Sequence, residues 1–181
     1  MTLFDHARKA ISSQIAPLPE RMRPQSFDDL VGQEHILGKG KVLRTAIDSD
    51  QLPSVILWGP PGSGKTSLAR LISGVTRAHF EPLSAVTSGV ADLRRIVAEA
   101  RDRLPMYAQK TVLFIDEIHR FNKSQQDVIL PHVEDGTVTL IGATTENPSF
   151  EVNAPLLSRC RVFTLVGLSF EDLHLIVLRA L

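Results

Sequence analysis

The eight residues Gly59–Thr66, GPPGSGKT, constrain the fold of this chain more than any other stretch. Gly59, Gly64, Lys65 and Thr66 satisfy the pattern G-x-x-x-x-G-K-[ST]. The apolar run SVILW, 54–58, leads into them, and SLARLIS, 67–73, follows with helical spacing. A strand, a glycine-rich loop and a helix in that order form a cradle for phosphate. Glycines let the backbone wrap closely enough for its amides to face the anion, and the start of the helix adds partial positive charge. The expected cradle is Gly59, Pro60, Pro61, Gly62, Ser63, Gly64, Lys65, Thr66 and Ser67. Lys65 can reach the outer phosphates, and the Thr66 hydroxyl can hold Mg²⁺. ATP with Mg²⁺ is therefore the expected ligand pair.

A second feature sits downstream. VLFIDE, 112–117, is an apolar strand that ends in two carboxylates. Asp116 is placed to hold Mg²⁺ through water, as a Walker B aspartate does, and Glu117 to polarise an attacking water. Two adjacent acids point to hydrolysis, since kinases position a substrate hydroxyl instead and many GTPases use glutamine. His119, in the run DEIH, is expected to be structural or coupling and to take no part in a metal site. TVTLIGATTENPSF, 137–150, ends a strand in Thr144, Thr145 and Asn147. If this strand lies beside those carrying the loop and Glu117, its end faces the outer phosphate; the alternative is a polar Asn-Pro turn. LLSRCRVF, 156–163, sets Arg159 and Arg161 against an apolar, core-like strand. Read locally, these are surface arginines, or one is offered in trans to a neighbour's nucleotide.

The remaining sequence bounds the class. At 181 residues, 43% hydrophobic and 22% charged, the chain has the composition of a globular domain. Lys plus Arg equals Asp plus Glu at 20 each, so any nucleic-acid contact must come from local clustering. A single cysteine cannot form an internal disulfide, and no apolar run approaches bilayer length, which together point to a cytoplasmic protein with no membrane association. Strands alternate with helices, as in a parallel sheet covered on both faces. Expected strands are 54–58, 79–83, 111–116, 137–143 and 161–165, the second of them weak. Expected helices are 67–73 stopped by Gly74, 91–104 ended by Pro105, 124–134 with a Ser124/Asp127 capping box and a break at Pro131, and 170–181 capped by Ser169. Residues 3–14 suit a short amphipathic helix, and 15–25 an extended arm.

With these motifs in hand, the chain resembles an AAA+ ATPase of the clamp-loader branch. RPQSFDDLVGQEHIL resembles that family's adenine-binding lead-in, and LLSRC its Ser-Arg-Cys motif. RMRP, SAVTSGV, HRFNKSQQD, EDGTVTLIGATTENPSFEVN and LLSRCRV are similar to the replication-associated recombination protein A family, bacterial relatives of Werner-helicase-interacting protein. The resemblance implies an α/β P-loop NTPase core of three layers with a five-stranded parallel sheet. It divides the chain into an arm, 1–19, a core, 20–167, and 168–181 as the first helix of a truncated lid; a helix packed back on the core is the alternative. Val31, Gly32 and Gln33 would flank adenine, Thr145 would sense the outer phosphate with Asn147 beside it, and Arg159 would be the arginine finger.

The resemblance further implies ATP hydrolysis at the subunit interfaces of a homo-oligomeric ring and response to forked, gapped or single-stranded DNA. It implies single-strand-binding protein as a partner and a nucleoid-associated location. DNA-contact candidates are Arg120 and Lys123. Arg94, Arg95, Arg101 and Arg103 share a helix with Asp92, Glu99 and Asp102, and so equally form a mixed-charge solvated face. Rival functions are a clamp-loader subunit, a Holliday-junction branch-migration motor and a non-catalytic ATP-dependent scaffold.

Overall fold

The computed structural model describes residues 17–180. The helix expected over 3–14 lies outside them. The chain forms two compact units, whose described parts are 33–167 and 17–32 together with 168–180.

The larger unit is built on five parallel strands: β1 Val55–Trp58, β2 His79–Ser84, β3 Thr111–Asp116, β4 Thr139–Thr144 and β5 Arg161–Thr164. Their order across the sheet is β2-β3-β4-β1-β5. The three central strands are almost wholly buried, which is why they read as continuous apolar runs. Both edge strands are more exposed. The structure thus corrects the reading of 161–165 as a core strand. Arg161 and Val162 lie on an edge, where a charged side chain meets water. Pro82 in β2 is tolerated for the same reason.

Crossover helices join the strands. After the short α2 Glu34–Leu37 and α3 Val42–Asp48, they are α4 Lys65–Val75 between β1 and β2, α5 Val90–Tyr107 between β2 and β3, and α6 Lys123–Glu134 between β3 and β4. The step from β1 to β2 runs one way across the sheet and the next two steps run back. Right-handed crossovers therefore put α4 on one face and α5 and α6 on the other. Leu93, Ile96 and Ile129 of the latter pair close over Leu113, Ile115 and Leu140 of the sheet in one cluster of buried side chains. Leu68 and Ile72 of α4 are buried as well.

Several helix ends differ from expectation. α4 runs one residue past Gly74, and Arg77 takes the left-handed turn. Pro105 and Pro131 break neither helix. Both lie on exposed faces, as do Arg101 and Asp127, whose carbonyls they leave unbonded within the helix, so water can take the lost partner's place. α6 starts one residue earlier than expected, because Asn122 and Gln125 form the capping box and Ser124 and Asp127 do not. Two unpredicted one-turn helices, α7 Pro148–Glu151 and α8 Ala154–Leu157, are capped by Asn147 and Asn153.

In the smaller unit, residues 18–21 are helical (α1 Leu18–Arg21) where an extended arm was expected; prolines ahead of and within the first turn are compatible with a helix start. α9 Phe170–Ala180 completes it. Ser169 caps α9 as expected, its Oγ accepting from Asp172 N (3.1 Å) while Asp172 Oδ2 accepts from Ser169 N (2.9 Å). Arg179 donates to the carbonyl of Asp29 (2.7 Å). No helix among the described residues is long and apolar enough to cross a membrane.

Candidate nucleotide site

The loop between β1 and α4 owes its shape to three glycines. Gly62 and Gly64 have φ of 76° and 92°, a region costly for other residues. Gly59 is needed for space, since a Cβ there would stand 2.5 Å from the carbonyl oxygen of Leu165. Pro60 and Pro61 have no amide hydrogen, so they shape the cradle and the residues from Gly62 to Ser67 supply its donors. Backbone bonds fix the loop's base: Gly59 N donates to Thr144 O (3.2 Å) and Leu165 N to Trp58 O (2.7 Å).

Lys65 is buried, and its Nζ donates to the carbonyls of Gly59 (2.8 Å) and Pro60 (2.9 Å). Burial lowers its pKa, and the carboxylates of Glu117 and then Asp116 oppose that shift. An ammonium resting on its own loop's carbonyls can turn outward to a phosphate. Ser63 Oγ in the same loop is buried with no partner, a polar atom an anion-binding cradle would use. Asp116 ends β3 and Glu117 follows it at φ 55°. Because β4 lies between β1 and β3, the condition for Thr144 and Thr145 to face this site is met. The Thr66 hydroxyl and Asp116 suit Mg²⁺, an oxygen-seeking ion that takes its remaining ligands from phosphate and water.

Other expected residues have local duties. The Gln33 amide is fully engaged: Nε2 donates to Val166 O (2.8 Å) and Ser63 O (3.3 Å), and Oε1 accepts from Val166 N (3.1 Å). It clamps the phosphate loop to the segment after β5, which leaves only its backbone for a base. Val31 and Gly32 belong to the smaller unit, where Gly32, at φ 77°, lies against Leu168 and Asp172. Asn147 Oδ1 accepts from Ser149 N (3.0 Å), the turn-closing role weighed above. Thr145 is half-buried at the strand end.

Arg159 lies elsewhere. β5 pairs Arg161 with Val55, at the end of β1 remote from the phosphate loop, and Arg159 is two residues further out. From Val55 to Gly59 the chain covers ~13 Å at about 3.3 Å per residue. The guanidinium donates to Pro155 O (2.8 Å) and Ser158 Oγ (3.0 Å) and pairs with the Glu134 carboxylate at the end of α6. α6 also holds the segment that carries it. Gln126 donates to Glu151 O (3.1 Å) and accepts from Asn153 N (2.7 Å), and Asp127 accepts from Asn153 Nδ2 (2.8 Å). Arg120, ahead of the same helix, and Lys123, its first residue, are exposed. On α5, Arg95 and Arg103 pair with Glu99, and Arg101 with Asp135.

Comparisons with known proteins identify the family and the fold. A sequence profile of the Holliday junction DNA helicase RuvB P-loop domain matches residues 22–171. The chain is 53% identical over 165 residues to replication-associated recombination protein A of Escherichia coli (strain K12), covering 91% of this chain and 37% of that protein. It is 50% identical over 166 residues to the ATPase WRNIP1 of Dictyostelium discoideum, covering 92% of this chain and 19% of that protein. The chain thus spans less than two-fifths of the length of these relatives. Among solved structures, the Thermotoga maritima RuvB Holliday junction branch migration motor superposes with a TM-score of 0.71 at 32% identity, over 87% of this chain and 53% of that one.

Proposed function

The chain belongs to the AAA+ P-loop ATPases of the RuvB type, in the replication-associated recombination protein A group, and on that premise we propose that it hydrolyses ATP at a site shared between two copies. The observation that carries this reading is the placement of Arg159. It is held at the end of the strands remote from its own phosphate loop, which supports a role toward a neighbour's nucleotide rather than its own.

In the shared site the loop amides and Lys65 hold the triphosphate. Thr66 and Asp116 hold Mg²⁺, which offsets phosphate charge when bound. Glu117 takes a proton from the attacking water, Thr145 registers the outer phosphate, and the neighbour's Arg159 meets the charge that develops in the transition state. A water-activating acid at this place argues against a pure nucleotide-sensing scaffold.

The relatives' names support a role in DNA replication, recombination and repair. Their greater length supports a ring completed by segments beyond this core, with residues 20–167 as the ATPase core and 168–181 as the start of a lid. Arg120 and Lys123 would meet DNA backbone, giving salt-dependent and sequence-tolerant binding. Forked, gapped or single-stranded DNA would stimulate turnover, single-strand-binding protein would be a partner, and the protein would work in the cytoplasm at the nucleoid. Likeness to RuvB also favours a branch-migration motor; a junction-migration assay separates the two roles.

The test uses the full-length protein. Arg159→Ala should bind ATP normally and lose about 10³-fold or more in kcat. Mixing it with Lys65→Ala, itself unable to hold phosphate, should restore part of the turnover, because mixed neighbours rebuild one intact site. Full activity of Arg159→Ala, or no recovery on mixing, would overturn the shared-site reading.

A further inference from the structure

His119 lies in the one-turn 3₁₀ helix Ile118–Arg120 that follows Glu117. Its Nδ1 is 2.9 Å from Thr144 Oγ1 and 3.2 Å from Glu117 Oε2. The left-handed backbone at Glu117, φ 55° and ψ 47°, turns the chain sharply enough to bring these side chains together. The imidazole is 12% exposed, too enclosed for water to take its place readily.

Counting hydrogens fixes the direction of the bonds. Thr144 has one hydroxyl hydrogen. Its Oγ1 lies 3.2 Å from the carbonyl of Glu146, to which it donates, and accepts from Glu146 N at 3.0 Å. Oγ1 therefore meets His119 as an acceptor. The Glu117 carboxylate accepts only, so a bare Nδ1 would set one lone pair against another. Nδ1 therefore carries its hydrogen and donates it to the threonine oxygen, with the carboxylate oxygen beside that donor at 3.2 Å.

We propose that His119 is a positioning residue of the hydrolysis site: its Nδ1–H, anchored on Thr144 at the end of β4, sets the positive end of the N–H dipole 3.2 Å from one oxygen of Glu117 and holds that carboxylate by electrostatic attraction. This rests on the reading that Glu117 activates water. With Oε2 held, Oε1 is left to face the water, and a side chain with three rotatable bonds is kept in one geometry. Glu117 is also the larger of the two carboxylate influences that oppose the lowering of the Lys65 pKa by burial. The anchor precedes Thr145, so the water-activating acid and the residue expected to register the outer phosphate are tied to the same strand end.

Two amide variants separate positioning from packing, because the Asn Nδ2 falls near the place of Nδ1 and the Gln Nε2 near that of the far ring nitrogen. In the full-length protein, His119→Asn should keep kcat within a few-fold of normal. His119→Gln and His119→Ala should lose about 10²-fold in kcat with unchanged affinity for ATP, as for a catalytic group displaced by about 1 Å. Equal losses for Asn and Gln, a loss confined to ATP affinity, or a kcat loss that merely follows thermal destabilisation would overturn the proposal. Glu117→Gln, run alongside, distinguishes the two levels. If it turns over normally, Glu117 is not the water activator and the underlying reading falls. If it is inactive while His119→Ala is normal, only the positioning role falls.

Discussion

Gln126 is the residue through which α6 holds the segment leading to Arg159, and Gln126→Leu tests that hold. The side chain is 1% exposed. Its Nε2 donates to Phe121 O (3.0 Å) and Glu151 O (3.1 Å), and its Oε1 accepts from Asn153 N (2.7 Å). Leucine has similar volume, so no large cavity opens and the cost is that of three backbone groups left without partners. A buried orphan costs about 1–3 kcal/mol. Phe121 O is buried and sits near the middle of that range; the other two groups are partly open to water and sit near its foot. Leucine recovers about 1 kcal/mol by sparing the amide's desolvation. The net expectation is a loss of about 3 kcal/mol, or roughly 6–12 °C in melting temperature for a domain of this size. Urea and thermal unfolding measure the total, and hydrogen exchange localises it. The Asn153 amide, bonded only to the glutamine oxygen, should exchange about 10²-fold faster, the factor that corresponds to 2.7 kcal/mol. A loss below about 1 kcal/mol with Asn153 protection unchanged would refute the claim that Gln126 holds this segment.

Three further outcomes follow from the geometry. Glu134→Gln should change stability by no more than about 1 kcal/mol in urea unfolding, because both partners of the Glu134–Arg159 pair are about two-fifths exposed and screened. Gly59→Ala should weaken ATP binding at least tenfold in a calorimetric titration and destabilise the protein by about 1–3 kcal/mol, since the new methyl meets the backbone oxygen of Leu165 and not a side chain that can swing away. Burial pushes the Cys160 thiol from 9.0 up to about 12, so it should resist iodoacetamide at pH 8 until the chain unfolds. The native state holds that proton more tightly than the unfolded chain does. Its contribution to stability is intact below pH 9 and is lost as pH rises toward 12, which Cys160→Ala should show as a shallower alkaline decline in melting temperature.

The phosphate loop and the buried strands were legible because their signals are local. β1, β3 and β4 are short apolar runs, and the loop's glycines and lysine sit at fixed spacing after a strand. The one-turn helices after β4 were legible in principle. Asn147 precedes Pro148, and Asn153 stands two residues before Pro155, so each is a capping residue followed by a first-turn proline. Pro105 and Pro131 misled because a proline breaks a helix only where the freed carbonyl finds no water, and exposure is a property of the fold. β5 misled for the same reason, since an apolar run does not say whether a second neighbour flanks it. What no local pattern could reveal is contact across the chain: Gln33 with Val166, His119 with Thr144, Glu134 with Arg159. Those contacts make the candidate site more than a list of motifs, and they depend on strand order.

The pairing of β1 with β5 carries one more consequence. The first strand delivers the phosphate loop, and the second begins two residues after Arg159, the guanidinium proposed above to serve the next copy. In an assembly of such units, the stride from one ATP to the next is written into a pair of hydrogen-bonded strands. A rigid ruler of that kind leaves little freedom for adjustment within a subunit, so any change in pitch on hydrolysis has to be taken up at the seams between copies.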